Sequence, residues 1–210
     1  YLNGQLLKYV FMVVFTTALS FGLTYMFGYE DEASSVPAED KEAEAIIEEE
    51  TTGALPASLQ DETIISPIVG QAVALSDVND PVFSSGAMGQ GIAIKPTEGV
   101  VYAPADAEVT IAFATGHAYG LKTANGAEIL IHVGIDTVSM NGEGFDQKVA
   151  QGDKVKAGDV LGTFDAAKIA AAGLEDTTMV IVTNTADYAS VTPVATGSVA
   201  KGDAIIEVKA

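Results

Sequence analysis

From about Glu62 onward, apolar residues fall in short runs broken by glycine and by turn-forming polar residues. The runs are TIISPIVGQAVAL, GQGIAIKP, GVVYAPADAEVTIAFA, AEILIHVGI, DVLGTFD, TMVIVTN and DAIIEVKA. Runs of this length, rich in β-branched residues and separated by frequent turn signals, predict strands of an all-β protein. Only DAAKIAAAGL, residues 165–174, has a helical texture, with Gly173 as its stop. The expected fold over residues 62–210 is an antiparallel β-sandwich with short helical turns. That length suits a single core.

Two upstream segments have different patterns. Tyr9 to Gly28 (YVFMVVFTTALSFGLTYMFG) is twenty residues without a charge, about what one helix needs to cross a bilayer. A transmembrane helix is expected over residues 6–28, within an N-terminal unit of residues 1–29. Lys8 alone is too little to set its orientation. Residues 30–61 form an acidic linker: between Glu30 and Glu50 lie ten carboxylates and one lysine. Such a run cannot bury enough apolar surface to fold alone, so an extended tether is expected. The chain starts at tyrosine, and we expect it to be part of a longer polypeptide.

Composition narrows the function classes. Ten lysines, no arginine and a formal net charge of −19 argue against nucleic-acid binding, since such a chain repels phosphates. With no cysteine there is no disulfide, no thiolate ligand and no cysteine nucleophile.

Both histidines lie in TGHAYGLKTANGAEILIHVGID, on either side of Asn125-Gly126. Asn-Gly between β-rich runs predicts a two-residue type I′ hairpin. Ala124 then faces Ala127, Tyr119 lies opposite His132, and Thr115 lies opposite Asp136. With period-two alternation, Thr115, His117, Tyr119, Leu121, Leu130, His132 and Asp136 share an outward face. His117 and His132 become diagonal neighbours on it. Ile129, Ile131, Val133 and Ile135 line the other face, toward the core. A β-bulge would shift this register. Two histidines so placed suit a metal site, a general acid/base pair or a phosphoryl acceptor. Spacing alone does not choose among the three.

The stretches GVVYAPADAEVT, TGHAYGLKTANGAEILIHVGIDTVSMNGEGF and QGDKVKAGDVLGTFD closely resemble the glucose-family enzyme IIA domain of the bacterial phosphoenolpyruvate-dependent sugar phosphotransferase system. LLKYVFMVVFTTALSFGLTYMFGYEDE resembles the last span of an enzyme IIC of the β-glucoside and sucrose type. The resemblance implies the C-terminal part of a membrane permease with domains in the order B, C, A, its IIA domain on the cytoplasmic side. It implies that His132 takes a phosphoryl group on Nε2 from the carrier HPr and passes it to a cysteine of an enzyme IIB domain. His117 would stabilise the group in transit, Thr115 would orient His117, and the Gly134 carbonyl would accept from Nδ1 of His132. No metal and no cofactor are required for this step. Family docking surfaces match Val82, Phe83, Met88, Phe113, Leu130 and Val138, to which the hairpin register adds Tyr119. The alternative is a lysostaphin-like zinc endopeptidase, which shares APADG-type strands and GDxVKAGD turns. It needs an H-x-H pair and a third metal ligand that ILIHV does not offer. QGDKVKAGDVLG also resembles biotin- and lipoyl-carrier hairpins, but their modified-lysine motif is missing.

Overall fold

A computed structural model describes residues 59–210. The expected helix at residues 6–28 and nearly all of the linker lie outside the described residues. Among those described, no helix is long and apolar enough to cross a membrane.

The described residues form fourteen strands. They are β1 (Glu62–Ile65), β2 (Gly70–Ala74), β3 (Gln90–Pro96), β4 (Val100–Tyr102), β5 (Ala107–Ala112), β6 (Ala118–Thr123) and β7 (Glu128–Val133), followed by β8 (Phe145–Gln147), β9 (Lys154–Val155), β10 (Val160–Phe164), β11 (Thr178–Val182), β12 (Ser190–Pro193), β13 (Gly197–Val199) and β14 (Ala204–Lys209). An eight-stranded sheet runs β13-β2-β3-β11-β7-β6-β5-β9, with three-stranded sheets β1-β14-β12 and β4-β10-β8 beside it. Every pairing is antiparallel. The architecture is all-β, as the short punctuated runs predict.

Among the described residues, helix is confined to brief segments. α1 (Pro81–Ser84) begins at Asp80, whose carboxylate accepts from the Val82 and Phe83 amides, and Pro81 pre-sets the first turn. α2 (Ala166–Ala171) is capped in the same way by Asp165. Gly173 follows it at φ 78°, in agreement with the expected stop.

Two apolar clusters sandwich the large sheet. The main core packs Ile129, Ile131 and Val133 of β7 with Val180 and Val182 of β11, and with Ile64, Leu161, Ile206 and Val208 of the smaller sheets. A second cluster covers the opposite face, where Leu75, Val78, Phe83 and Met88 pack onto Ala118, Leu130, Ile135, Met179 and Ile181. This second layer explains why β11 (TMVIV) is buried at every position and apolar from Met179 to Val182: a strand covered on both faces does not alternate. Each fully buried Val, Leu or Ile contributes about 1.5–3 kcal/mol relative to exposure.

The hairpin register differs from expectation by one residue. Ala118 pairs with His132, Tyr119 with Ile131, Gly120 with Leu130 and Leu121 with Ile129. The loop has three residues, Ala124 to Gly126. It is closed by the Thr123 amide on the Ala127 carbonyl (2.9 Å) and the Gly126 amide on the Thr123 carbonyl (3.1 Å). Gly126 takes φ 100°, the left-handed position that a three-residue hairpin loop places at its end. The Thr123 hydroxyl holds the Ala127 amide (2.9 Å) and donates to Glu62 (2.7 Å). Because a one-residue slip exchanges faces, Tyr119 and Leu121 join the main core and not the histidine face. Ile135, expected in that core, packs in the second cluster.

Candidate phosphoryl-transfer site

His132 is the penultimate residue of β7, at the end of the hairpin opposite the Asn125 loop. Across the sheet its register partners are Ala118 on β6 and Met179 on β11. Its ring is 4 % exposed, and the Phe83 ring lies 5.1 Å away. His117 stands just before β6, after a turn in which the Gly116 amide donates to the Phe113 carbonyl (2.7 Å). Its carbonyl accepts from the Val133 amide (2.8 Å), and its ring is 2 % exposed. The two imidazole centroids are 5.0 Å apart with planes at 81°. Phe113 packs on His117 at 5.3 Å.

The histidines therefore meet, but not as diagonal neighbours on a regular ladder. In the observed register His117 falls opposite Val133, on the core side. It reaches His132 because it precedes the strand, leaving a turn rather than a pleat. Neither ring is on an open outward face, because residues 75–89 cover that side of the sheet. Asp136 follows the end of β7, exposed and at φ 58°.

Each ring is held at Nδ1. His132 Nδ1 is 2.8 Å from the Gly134 carbonyl oxygen. A carbonyl only accepts, so Nδ1 carries the proton and the lone pair of the neutral ring sits on Nε2. His117 Nδ1 is 2.6 Å from the Thr115 hydroxyl. The loop that presents Gly134 is tied down by its own amide to the Thr177 carbonyl (3.1 Å) and by Ile135 to the Glu175 carbonyl (2.9 Å). Gly134 has φ 81°, and a Cβ there would stand 2.4 Å from Thr137 Cγ2 and 2.7 Å from the Glu175 oxygen. No larger residue fits that backbone unstrained.

The expected docking residues divide into three groups. Val82, Phe113 and Val138 are half-buried and border the histidines or the loop after them. Phe83, Met88 and Leu130 are buried in the second cluster. Leu130, at 1 % exposed, forms the floor beneath the site and offers a partner no surface. Tyr119 is also 1 % exposed but belongs to the main core. Its docking assignment is incorrect, and the one-residue register shift is the reason. The Phe83 ring against His132 has a sequence signal in Asp80-Pro81, a helix start whose third residue turns inward.

Among the described residues no cluster of three or more histidines and carboxylates could hold a metal.

Comparison with known proteins agrees with this geometry. The family model for the phosphoenolpyruvate-dependent sugar phosphotransferase system, EIIA 1, matches residues 62–188. The chain is 44% identical to the beta-glucoside-specific EIIBCA component of Dickeya chrysanthemi over 93% of its own length and 29% of that protein's. It is 47% identical to the glucose-specific EIIA component of Bacillus cereus, over 62% of this chain and 79% of that one. It thus spans under a third of the EIIBCA relative and most of the glucose-specific EIIA one. Among solved structures, glucose permease IIA from Mycoplasma capricolum superposes with a TM-score of 0.65 at 34% identity, over 70% of this chain and 96% of that one. Nothing in these similarities supports the zinc endopeptidase reading. A buried imidazole pair, each ring fixed at Nδ1, thus stands within a sequence and a fold that share one origin, and the chain belongs to the EIIA 1 family of the phosphoenolpyruvate-dependent sugar phosphotransferase system, a family of phosphotransferases.

Proposed function

We propose that this domain is a phosphoryl relay in which His132 is the carrier. Phospho-HPr docks, its N–P bond breaks, and a bond forms from phosphorus to His132 Nε2. In the second half-reaction that bond breaks and the group passes to a cysteine thiolate of an enzyme IIB domain. This chain has no cysteine, so that acceptor lies on another part of the system. The observation carrying the reading is the 2.8 Å contact of His132 Nδ1 with the Gly134 carbonyl, which puts the nucleophilic lone pair on Nε2 in advance. Thr115 donates to His117 Nδ1, which directs the Nε2 proton of His117 toward the transferring oxygens. In-line phosphoryl transfer asks chiefly for such positioning and charge stabilisation. With no arginine in the chain, a guanidinium would come from the partner. Val82, Phe113 and Val138 form the apolar rim on which partners seat.

The EIIBCA relatives support a reading in which the chain is one part of a larger assembly. In this reading the chain is the C-terminal part of a β-glucoside- or sucrose-type permease, anchored through residues 6–28 with the IIA domain on the cytoplasmic side.

Incubation with phosphoenolpyruvate, enzyme I and HPr, followed by mapping of the acid-labile phosphate, tests the relay. His132 should carry the label, and His132→Ala should abolish it. Label on His117 in the unaltered protein would reverse the two roles.

A further inference from the structure

Two consecutive peptide groups follow His132, and each is held at both ends. The Val133–Gly134 peptide donates its N–H to the Thr177 carbonyl (3.1 Å), and its carbonyl accepts from the Thr137 hydroxyl (2.5 Å). The Gly134–Ile135 peptide donates its N–H to the Glu175 carbonyl (2.9 Å), and its carbonyl accepts from His132 Nδ1 (2.8 Å). Of these four partners two are main-chain carbonyls and one is the histidine itself. The fourth, Thr137, is the side chain that a substitution can remove without touching the carrier ring. It is fully buried, and its methyl group packs on Gly134, where an added Cβ would stand 2.4 Å from Cγ2. The chain turns back to bring it there. Asp136 takes φ 58°, a left-handed conformation uncommon outside glycine, and Thr137 opens the short 3₁₀ helix that follows (Thr137–Met140).

We propose that Thr137 is a positioning residue for His132: its hydroxyl fixes the Val133 carbonyl, which holds the neighbouring Gly134 carbonyl on Nδ1 and so keeps the ring's lone pair on Nε2. The effect travels through rigid planes. A peptide group is planar, so bonds at both ends of the first one set the direction in which the second leaves Gly134. Gly134, at φ 81°, is the residue type with the most backbone freedom, and a joint so loose needs a restraint on each side. Without the hydroxyl the Gly134 carbonyl gains room to rotate off Nδ1, and the Nε2–H tautomer, whose Nε2 has no lone pair to offer phosphorus, becomes populated. As phosphorus bonds to Nε2 the ring gains positive charge, and its Nδ1–H bond to the carbonyl strengthens. A misplaced carbonyl therefore lowers the rate as well as the tautomer share. The effect on rate rests on the phosphoryl relay proposed above; the effect on the tautomer does not.

The test uses the full chain in detergent micelles with isotope-labelled histidine. The chain has two histidines, so two ring systems are seen, and the His117→Gln variant tells them apart. Above the imidazole titration range, long-range proton–nitrogen correlation gives the share of each tautomer. Thr137→Val keeps the side-chain shape and removes the hydroxyl, whereas Thr137→Ser keeps the hydroxyl and removes the methyl group. In Thr137→Val the ratio of Nε2–H to Nδ1–H on His132 should rise about two- to tenfold, the usual range for one neutral hydrogen bond. Single-turnover phosphoryl uptake from saturating phospho-HPr should slow by about the same factor, with the half-saturating concentration unchanged, since a fully buried residue meets no partner. Thr137→Ser should be near native in both, although loss of the methyl group lowers its unfolding midpoint. Thr137→Ala against Thr137→Ser repeats the comparison in a smaller side chain, for the case in which valine leaves the domain unfolded. A native tautomer ratio in the hydroxyl-free variants would overturn the proposal, and so would a Thr137→Ser variant shifted as far as they are. If the unaltered chain takes no phosphate, the relay fails while the tautomer ratio still decides whether Thr137 places the Nδ1 proton.

Discussion

Replacing Tyr119 by alanine separates two accounts of the β6–β7 hairpin. If the loop had two residues, Tyr119 would share the histidine face, and its loss would weaken partner binding while leaving the fold intact. In the observed register Tyr119 is 1 % exposed and packs in the main core. Its hydroxyl lies so close to β10 that a Cβ on Gly162 would stand 2.1 Å from it, and burial pushes the phenol pKa up to about 12. Truncating a buried aromatic residue to alanine costs about 3–5 kcal/mol, because the transfer energy is lost and a cavity remains. Against a total of about 5–15 kcal/mol for a typical domain, that is a large share. At about 2–4 °C per kcal/mol for a domain of this size, the unfolding midpoint should drop by about 10–15 °C. Urea denaturation followed by circular dichroism measures the cost directly. The reasoning is refuted if the loss stays below about 1 kcal/mol, the range of surface substitutions, while phosphoryl transfer falls.

Three further expectations follow from other sites. His117→Gln should still accept phosphate from HPr, which brings its own charges, but should pass it to enzyme IIB about a hundred- to a thousandfold more slowly, the usual cost of one preorganised donor; rapid-quench measurement of both half-reactions checks this, and equal slowing of the two would remove the role. Gly134→Ala must fit a methyl 2.4 Å from Thr137 Cγ2 at φ 81°, so it should destabilise the domain by at least about 1–2 kcal/mol and disturb the bond to His132 Nδ1, visible as a changed imidazole nitrogen shift in NMR. Glu62 has its carboxyl pKa raised from 4.5, chiefly by burial, against the lowering effect of Thr123 and Ala127. A raised folded-state pKa means that stability is fully present below the unfolded value and is lost as pH climbs through the folded one. Glu62→Gln should remove that loss, so the variant should gain on the native protein in denaturation midpoints as pH climbs above the ordinary glutamate value of 4.5.

How much of this could be read in advance depended on the range of the determining contact. Strand runs, the α2 stop at Gly173 and the meeting of the two histidines are written in local texture, where glycine, Asn-Gly and β-branched residues act within a few positions. The hairpin register was not legible because a distant residue helps to set it. Asn125-Gly126 is compatible with two- and three-residue loops, and Glu62, sixty residues upstream, binds Thr123 and Ala127 across the longer one. Burial of the histidines was likewise hidden, since it requires residues 75–89 to fold over the sheet. The continuous apolar run MVIV was the available sign, because a strand open to water on one side would alternate. Gly134 and Thr115 lie within two residues of their histidines, so their contacts were accessible to a motif-level comparison.

The pairing of β1 with β14 places Glu62 opposite Val208, and β14 is also the middle strand that holds β12. During synthesis on a ribosome, residues 62–65 emerge long before the strand that completes their ladder. At about 5–20 residues per second, that interval is on the order of ten seconds. Throughout it β1 lacks its ladder partner, so the nascent domain depends on β14 to close. Loss of β14 would remove the centre of a sheet, leaving the facing edges of β1 and β12 without a partner.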